Sequence, residues 1–244
     1  METKEYTLMY ELEEGHWWYR GLHDLLFSTI SKLNGEGRGI KILDAGCGTG
    51  FTMAALDRYG RSFGVDISDI ALGYCRKRGL SRMVKGSIEA MPFADASFDI
   101  VILTDVLYHR LVRDDLAVLG EAHRVLKSGG HVIINEPAHN YMRRNHDTFV
   151  HTRHRYEMSE MCDMLRKKGF NIIKRTYRNM LLGAVLVFFK FFVWKIKKDN
   201  SSNLKPIFPA VNGMLYAVLK AENMALNVFD MPWGLSVFCV AKKV

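Results

Sequence analysis

Cysteine and proline are scarce in this sequence, with four and five residues among 244. The cysteines, at positions 47, 75, 162 and 239, lie far apart and form no Cys-x-x-Cys pair. Clustered cysteines are the usual sign of a zinc site or of a disulfide framework in a secreted protein. Their scattering argues against both, so we expect no metal and a reducing, cytoplasmic environment.

The sequence also lacks long apolar runs, and its positive charge is scattered apart from one local basic run at Lys195–Lys198. No apolar stretch reaches the roughly 20 residues that a transmembrane helix needs. The beginning of the chain is acidic and contains no apolar core, so we do not expect a signal peptide. The net charge of +8 comes from scattered lysines and arginines, and no nucleic-acid-binding motif accompanies them. We therefore expect no nucleic-acid partner.

Strands and helices alternate along most of the chain, joined by short loops. Strands are predicted at Ile40–Asp44, Ser62–Asp66, Met83–Gly86, Phe98–Asp105, His131–Glu136, Phe170–Tyr177 and Gly234–Ala241. Helices are predicted at Phe51–Tyr59, Asp69–Arg78, Asp114–Lys127, Ser159–Lys168 and Leu215–Phe229. Repeated β-α-β units with short connections predict an α/β fold with a doubly wound, mostly parallel sheet.

Two further segments flank this alternating pattern. Residues 1–38 are predicted to form an N-terminal helical lid, with a helix over residues 16–33. Residues 179–233 are predicted to be an apolar helical insertion before the last strand. We expect residues 1–244 to form a single domain.

A glycine loop connects the first predicted strand to the helix after it. Asp44, Gly46, Gly48 and Gly50 form the pattern Asp-x-Gly-x-Gly-x-Gly, in which glycines let the backbone turn and approach a ligand closely. A dinucleotide fingerprint would need a third glycine at the position of Phe51, which argues against a nicotinamide or flavin cofactor. Asp44 instead suits a cationic ligand.

A second acidic residue, Asp66, ends the next predicted strand, 22 residues after Asp44. A carboxylate at such a strand end can accept hydrogen bonds from both ribose hydroxyls of a nucleoside. Each residue alone could serve only a tight turn or a helix cap. Strand, glycine loop, helix, strand and terminal aspartate together favour a nucleoside site.

With these residues the chain resembles the class I S-adenosylmethionine-dependent methyltransferases, over about residues 16–178. The resemblance implies a seven-stranded Rossmann-like sheet and S-adenosylmethionine as cofactor. It implies that the glycine loop holds the methionine part, that Asp66 holds the ribose and that Gly86–Phe93 packs on the adenine. Many members have aspartate where this chain has Ser87, a weaker acceptor for the adenine amino group. The implied cofactor-binding residues are Trp17, Asp44, Gly46, Cys47, Gly48, Gly50, Asp66, Ile67, Ser87, Ile88, Glu89 and Thr104.

The acceptor of the methyl group is expected at two stretches beyond the strand ends. Thr104–His109 resembles an Asp-Val-Leu-x-His segment of many small-molecule methyltransferases, although His109 could simply be a cap. The predicted loop Pro137–Tyr156 carries four histidines and several arginines, and its alternative interpretation is a solvated basic loop. It resembles a bacterial subgroup that often accompanies polysaccharide or natural-product pathways. We predict His146 as general base, His109 and His151 as alternatives, and Asp147 as the residue that orients a histidine.

The same subgroup begins with a Glu-x-x-His-Trp-Trp-like segment, which here includes Trp17 and Trp18. The resemblance implies a helix lying over the cofactor, and aromatic rings attract a sulfonium cation. For one of the two tryptophans, the expected role is to anchor this helix to the core.

The stretch Met180–Trp194 is strongly apolar and is followed by Lys195, Lys197 and Lys198. It could be a core helix, a homodimer face or an interfacial helix whose lysines meet anionic lipid headgroups. Because apolar residues occupy nearly the whole helix circumference, we favour peripheral membrane contact or a hydrophobic substrate through residues 180–198. The protein would then work in the cytoplasm, at the inner face of the membrane.

The leading hypothesis is an enzyme that moves the methyl group of S-adenosylmethionine to an oxygen or nitrogen of a small-molecule, sugar or lipid-linked acceptor. The alternative is a module on the same fold that binds the cofactor or a partner without turnover. The intact acidic residues and glycines favour the enzyme, and the Ser87 departure is the one hint for the alternative.

Overall fold

The computed structural model describes residues 3–34, 39–143, 146–192 and 207–244, and the strands within these ranges form one seven-stranded sheet. The strands are β1 (Ile40–Ala45), β2 (Gly60–Asp66), β3 (Met83–Lys85), β4 (Phe98–Thr104), β5 (Leu126–Pro137), β6 (Phe170–Arg178) and β7 (Ser236–Lys243). Their order is β3-β2-β1-β4-β5-β7-β6. The strands β3, β2, β1, β4 and β5 are parallel, and β7 runs antiparallel between β5 and β6. The predicted doubly wound, mostly parallel sheet is confirmed.

Helices cover both faces of the sheet. They are α1 (Thr3–Leu12), α2 (Trp17–Asn34), α3 (Phe51–Leu56), α4 (Asp69–Lys77), α5 (Asp115–Val125), α6 (His146–Phe149), α7 (Met158–Lys167), α8 (Met180–Phe192) and α9 (Pro209–Ala225). The sequence analysis did not predict α1 as a separate helix, since Glu5 is its one buried side chain and it has no buried apolar stripe. The predicted loop after β5 contains a 3₁₀ turn at Asn140–Met142 and the short helix α6.

The central strands send alternate side chains into two apolar layers. Leu43 and Val101 belong to the layer that packs against α5 and α7. Their neighbours Ile42 and Ile100 point the other way, into a layer shared with Leu26 of α2. All of these side chains are buried because each central parallel strand is covered on both faces, which explains why the strands read as continuous apolar runs.

The helix α9 docks on α2 through polar and apolar contacts. Asn223 donates to the carbonyl oxygen of Gly21 at 2.7 Å, and Tyr216 lies 2.6 Å from the carboxylate of Asp24. The close approach is possible because Gly21 has no side chain. A Cβ atom there would lie 2.5 Å from Cδ1 of the buried Leu219. The described part of the segment before the last strand thus contains the helices α8 and α9, and α9 packs on α2.

A second contact ties α9 to α8. The buried carboxylate of Glu222 accepts hydrogen bonds from the backbone N–H groups of Asn179 and Leu181, at the first turn of α8. Backbone N–H groups in the first turn of a helix have no partner within the helix, so Glu222 satisfies two of them. Of the helices that the structure describes, none is long and apolar enough to cross a membrane.

The contact between α2 and α9 generates a stability prediction. Replacing Gly21 by Val should lower the free energy of unfolding by about 1–3 kcal/mol, because the new methyl groups collide with Leu219. Gly213 on α9 is the matched control, since in the described ranges no atom beyond its chain neighbours and the backbone of its own helix lies within 4 Å of its Cβ position. Urea denaturation of the two valine variants measures the difference. Equal stability of the variants would contradict this packing.

Candidate functional site

A cavity of about 840 Å³ lies at the carboxyl ends of β1, β2 and β4, beneath α1 and the start of α2. Residues from all of these elements line it, including Asp44, Asp66 and Thr104 at the strand ends. Carboxyl ends of parallel strands are the usual place for a ligand in this kind of sheet. The cavity is large enough for a nucleoside and a second small molecule.

Asp44 is a buried carboxylate at the end of β1, and it faces this cavity. Within the described ranges its Oδ2 atom has no hydrogen-bond partner. Burial, together with the nearby carboxylates of Asp66 and Glu13, raises the pKa of Asp44 to about 7. A cationic group placed beside Asp44 would supply the missing interaction and favour the ionised carboxylate.

The backbone holds the carboxylate of Asp66 in a fixed orientation. Its Oδ2 accepts from the N–H of Gly48 at 3.0 Å and its Oδ1 from the N–H of Ser68 at 2.8 Å. Burial raises the pKa of Asp66, and these backbone donors act in the opposite direction. Each oxygen keeps a further lone pair, so the carboxylate can also accept from a ligand in the cavity.

The glycine loop passes close to the loop that follows β4. Gly46 has φ of 87°, and a Cβ atom there would lie 2.5 Å from Cγ2 of Val106. Both a left-handed conformation and the lack of a side chain are therefore required at Gly46. Gly46, Cys47 and Gly48 line the cavity. Gly50 lies behind it, where a Cβ atom would be 2.8 Å from Sγ of Cys75.

The predicted adenine side of the cavity is lined by Ile67, Ser87, Ile88 and Glu89. The hydroxyl of Ser87 accepts from the N–H of Glu89 at 3.1 Å. The carboxylate of Glu89 accepts from the N–H groups of Arg113 and Asp114 at 2.9 and 2.8 Å. Glu89 thus fixes the loop before α5 as well as facing the cavity.

A buried ion pair fastens α1 to the glycine loop. The Glu13 carboxylate lies 2.7 Å from the Arg78 guanidinium and accepts a hydrogen bond from the hydroxyl of Thr49. Arg78 also donates to the carbonyl oxygens of Thr49 and Tyr10. The sequence analysis missed this pair, because its members lie 65 positions apart. It places Tyr6 and Met9 of α1 over the cavity.

Trp17 and Trp18 both line the cavity at the start of α2. The backbone N–H of Trp17 donates to the side chain of Asn212 on α9 at 2.9 Å. Its indole Nε1 is buried and has no partner among the residues that the structure describes. Trp17 therefore has one end anchored to α9 and a ring available to a ligand.

The loop after β4 is shaped by Glu136, a fully buried residue that the sequence analysis did not single out. Its carboxylate accepts hydrogen bonds from three consecutive backbone N–H groups, those of Val106, Leu107 and Tyr108, at 3.0, 2.8 and 3.1 Å. Burial raises the pKa of Glu136, and the three donors oppose this change. The glutamate thereby fixes where Tyr108 and His109 reach the cavity.

The histidines predicted to act on the acceptor lie in different surroundings. His109 lines the cavity, its Nδ1 accepts from the N–H of Leu111 at 3.2 Å, and burial lowers its pKa to about 4. The ring of His151 meets that of His109 edge-on at 5.8 Å. His146 begins α6, and its side chain lies outside the described residues.

Asp147 lines the cavity and forms a two-point ion pair with Arg155, at 2.8 and 3.1 Å. Arg155 also donates to the carbonyl oxygen of Ala138. Two other histidines of this loop pair with glutamates, His139 with Glu157 at 3.0 Å and His154 with Glu160 at 2.9 Å. One ion pair and two contacts between histidine and glutamate thus organise much of the histidine-rich loop.

Comparisons with known proteins relate the chain to methyltransferases. Residues 43–134 match the family described as a methyltransferase domain. A probable S-adenosylmethionine-dependent methyltransferase of Mycolicibacterium smegmatis is 27% identical over 174 residues, which cover 70% of this chain and 65% of that protein. A demethylmenaquinone methyltransferase of Lactococcus lactis is 36% identical over 128 residues, covering 48% of this chain and 50% of that protein. The chain therefore spans between half and two thirds of these relatives' lengths.

A solved structure from Thermotoga maritima, described as a methyltransferase dependent on S-adenosylmethionine and possibly a histamine N-methyltransferase, has the same fold. It superposes with a TM-score of 0.62 and 20% identity, covering 99% of this chain and 96% of that one. At this identity the likeness shows the fold and leaves the acceptor open.

The contacts of Glu136 generate a prediction. Glu136→Gln should lower the free energy of unfolding by about 1–3 kcal/mol, because the amide nitrogen would face a backbone N–H that has lost its acceptor. Hydrogen exchange at Val106, Leu107 and Tyr108 should accelerate. Glu14→Gln is the matched control, since the Glu14 side chain is 65% exposed. Unchanged exchange in the Glu136 variant would show that the carboxylate does not hold the loop.

Proposed function

We propose that this protein, a member of the class I S-adenosylmethionine-dependent methyltransferases, is an enzyme that methylates an oxygen or nitrogen of a small-molecule, sugar or lipid-linked acceptor. The family and its fold imply S-adenosylmethionine as the cofactor. The observation that carries this proposal is the buried Asp44 carboxylate, whose Oδ2 has no partner in the described part of the chain. It lies beside Asp66 in a cavity large enough for cofactor and acceptor.

The residues at the strand ends fit this cofactor. S-adenosylmethionine, when bound, supplies a methyl group already activated by a sulfonium and carries a cationic ammonium group. Asp44 would offset the positive charge at the methionine end, and Asp66 would accept from the ribose hydroxyls. Ser87 and Ile88 would meet the adenine, and the ring of Trp17 would lie near the cation. Gly46, Cys47, Gly48, Ile67, Glu89 and Thr104 complete the proposed cofactor wall.

The acceptor would occupy the other end of the cavity. His109 and Asp147 line that end together with apolar side chains such as Met142 and Val150. His146 stays the sequence-based prediction for the general base, with His109 and His151 as alternatives. The resemblance of the histidine-rich loop supports a role in natural-product or polysaccharide biosynthesis, and the scattered cysteines support a cytoplasmic location. Related enzymes named for demethylmenaquinone and for malonyl-acyl-carrier protein show how widely acceptors vary among relatives.

The rival proposal is a module that binds S-adenosylmethionine without turnover. Both proposals expect binding, so only transfer separates them. Incubation with methyl-labelled cofactor and fractions of a cell or glycan extract distinguishes the two. Label in an extract component supports the enzyme, and binding without transfer supports the rival.

The cofactor assignment makes a quantitative prediction. Asp66→Ala should weaken binding of S-adenosylhomocysteine by about 1.5–3 kcal/mol, because hydrogen bonds to a charged carboxylate are lost. Isothermal calorimetry measures the affinity. Asp69→Ala is the control, since Asp69 is paired with Lys85 on the surface. Unchanged affinity in the Asp66 variant would overturn the role of Asp66.

We further propose that the helical segment before the last strand contacts a lipid surface. Leu181 and Val185 of α8 are 46% and 50% exposed, and Met214 of α9 is 61% exposed. Lysines 195, 197 and 198 follow α8 in the sequence and lie outside the described residues. Exposed apolar side chains on a helix that lysines follow in the sequence suit an anionic membrane surface.

The membrane proposal is tested by co-sedimentation with vesicles. The protein should pellet with anionic vesicles, less with neutral ones, and should be released as salt rises. Replacing Leu181, Val185 and Met214 together by Ser should reduce pelleting, whereas Ile173→Ser, at a position 52% exposed on β6, should not. A wild-type protein that ignores vesicles would contradict the proposal. A dimer that the triple variant dissociates would instead identify a homodimer face.

A further inference from the structure

Asp105 carries a carboxylate that lines the cavity, and the resemblance of the stretch Thr104–His109 gives this residue no role of its own. It follows β4 directly and lines the cavity beside Thr104 and Tyr108. Its φ of 53° turns the chain away from the direction of the strand. Asparagine and aspartate tolerate this left-handed conformation better than most residues with a side chain. The carboxylate therefore lies where the strand ends meet the proposed acceptor.

Asn135 of β5 holds Asp105 at two points. The N–H of Asp105 donates to the carbonyl oxygen of Asn135 at 2.8 Å, and Nδ2 of Asn135 donates to Oδ1 of Asp105 at 3.1 Å. Among the described residues, Asn135 is the one whose side chain donates a hydrogen bond to the Asp105 carboxylate. One carboxylate oxygen is thus oriented by protein, which leaves the other for a molecule in the cavity.

Arg178 of β6 binds the side-chain oxygen of the same residue, Asn135. Its Nη1 donates to Oδ1 of Asn135 at 3.2 Å, so the amide bridges guanidinium and carboxylate. Arg178 is fully buried at the end of β6, and its Nε and Nη2 have no hydrogen-bond partner in the described ranges. A buried guanidinium is stable only near negative charge. Asp105 and Glu222 supply that charge.

The charges around Asp105 come from several elements. Arg178 on β6 and Arg155 in the loop before α7 stabilise its ionised form, as does the Asn135 hydrogen bond. Three other groups would oppose the ionised form of Asp105 when they are themselves ionised. They are Glu136 on β5, Tyr19 on α2 and Tyr108 in the loop after β4. Burial outweighs the stabilising neighbours and raises the pKa of Asp105 to about 6. With this pKa the carboxylate is mainly ionised at neutral pH. Its pKa is also close to the working pH, as a general base requires.

His109 also lines the cavity, but it is a less suitable proton acceptor than Asp105. Its Nδ1 already accepts from the N–H of Leu111, and burial holds its pKa near 4. A base works best when its pKa lies near the working pH, and Asp105 is closer to that condition than His109.

Resting on the proposed methyl transfer, we infer that Asp105 binds the acceptor's N–H or O–H group and takes its proton, while Asn135 and Arg178 position the carboxylate. The bond between hydrogen and the acceptor atom breaks, and the proton goes to the free oxygen of Asp105. The electron pair of that atom forms the bond to the methyl carbon, and the carbon–sulfur bond breaks with its pair left on sulfur. Asp105 then returns the proton to water.

The test is a pH profile of methyl transfer to the extract fraction that accepts label, measured between pH 5 and 8. The wild-type rate should fall about tenfold per unit below pH 6, as the carboxylate is protonated. Asp105→Asn should be at least about a hundredfold slower, should lose that acid limb and should bind S-adenosylhomocysteine as the wild type does. Asp95→Asn, at an exposed residue paired with Arg124 outside the cavity, is the matched control.

The positioning role of Arg178 has its own readout. Arg178→Met removes a positive charge that lowers the pKa of Asp105, so the acid limb should move to higher pH. Arg178→Lys should restore it towards the wild-type position. A variant that merely loosened the fold would change the rate without moving the limb, which would contradict the inferred role of Arg178.

Three results would overturn the inference. Asp105→Asn could keep its rate within about tenfold of the wild type, or could keep the acid limb. His146→Ala could be the variant that loses both, which would restore the sequence-based assignment. If no extract fraction accepts label, the proposed transfer fails by itself. Asp105 is then tested by carbon-13 NMR of labelled aspartates with S-adenosylhomocysteine bound. A carboxyl that titrates near pH 6 and disappears in Asp105→Asn supports the inference, and its absence refutes it.

Discussion

The buried carboxylate of Asp44 is the constraint around which the cavity is organised. The sheet fixes it at the end of β1, between β2 and β4, so it cannot turn away to solvent. An ionised carboxylate without compensation in such a place costs several kcal/mol. Asp66 and the lid residue Glu13 add negative charge close by. The fold therefore maintains a cavity whose charge is unbalanced until a cation enters, and a cofactor with a sulfonium and an ammonium group matches that need.

Two buried glutamates hold the backbone that directly follows β4 and β6. Glu136 accepts from three N–H groups after β4, and Glu222 accepts from two at the start of α8. In both places the carboxylate accepts hydrogen bonds from backbone N–H groups that have no acceptor within a helix or strand. The loop after β4, which lines the cavity, is therefore held by a buried carboxylate and not only by the strand that precedes it. Arg178 lies between the two systems, since both Asp105 and Glu222 stabilise its charge.

Local pattern was enough to predict the strands, the parallel sheet and the position of Asp44 and Asp66 at neighbouring strand ends, because these depend on neighbours in the chain. Gly50 shows the limit of motif reading, since it faces Cys75 behind the cavity. Asn135 and Arg178 could not be found, because their partnership joins strands 43 positions apart and neither belongs to a motif. The predicted orienting role of Asp147 likewise did not anticipate its ion pair with Arg155. Helix α1 was not predicted, because its docking depends on the ion pair between Glu13 and Arg78, which lie far apart in the sequence.

We propose that a cationic cofactor balances the charge of Asp44, so that binding of the cofactor should release protons. Calorimetric titration with S-adenosylhomocysteine at pH 7, in two buffers of different ionisation enthalpy, measures that release. Asp44 has a pKa of about 7 without ligand, so the ammonium group should displace about half a proton as it lowers this pKa. The isosteric Asp44→Asn variant should release almost none and bind more weakly. Binding without proton release in the wild type, or equal release by both proteins, would contradict the account.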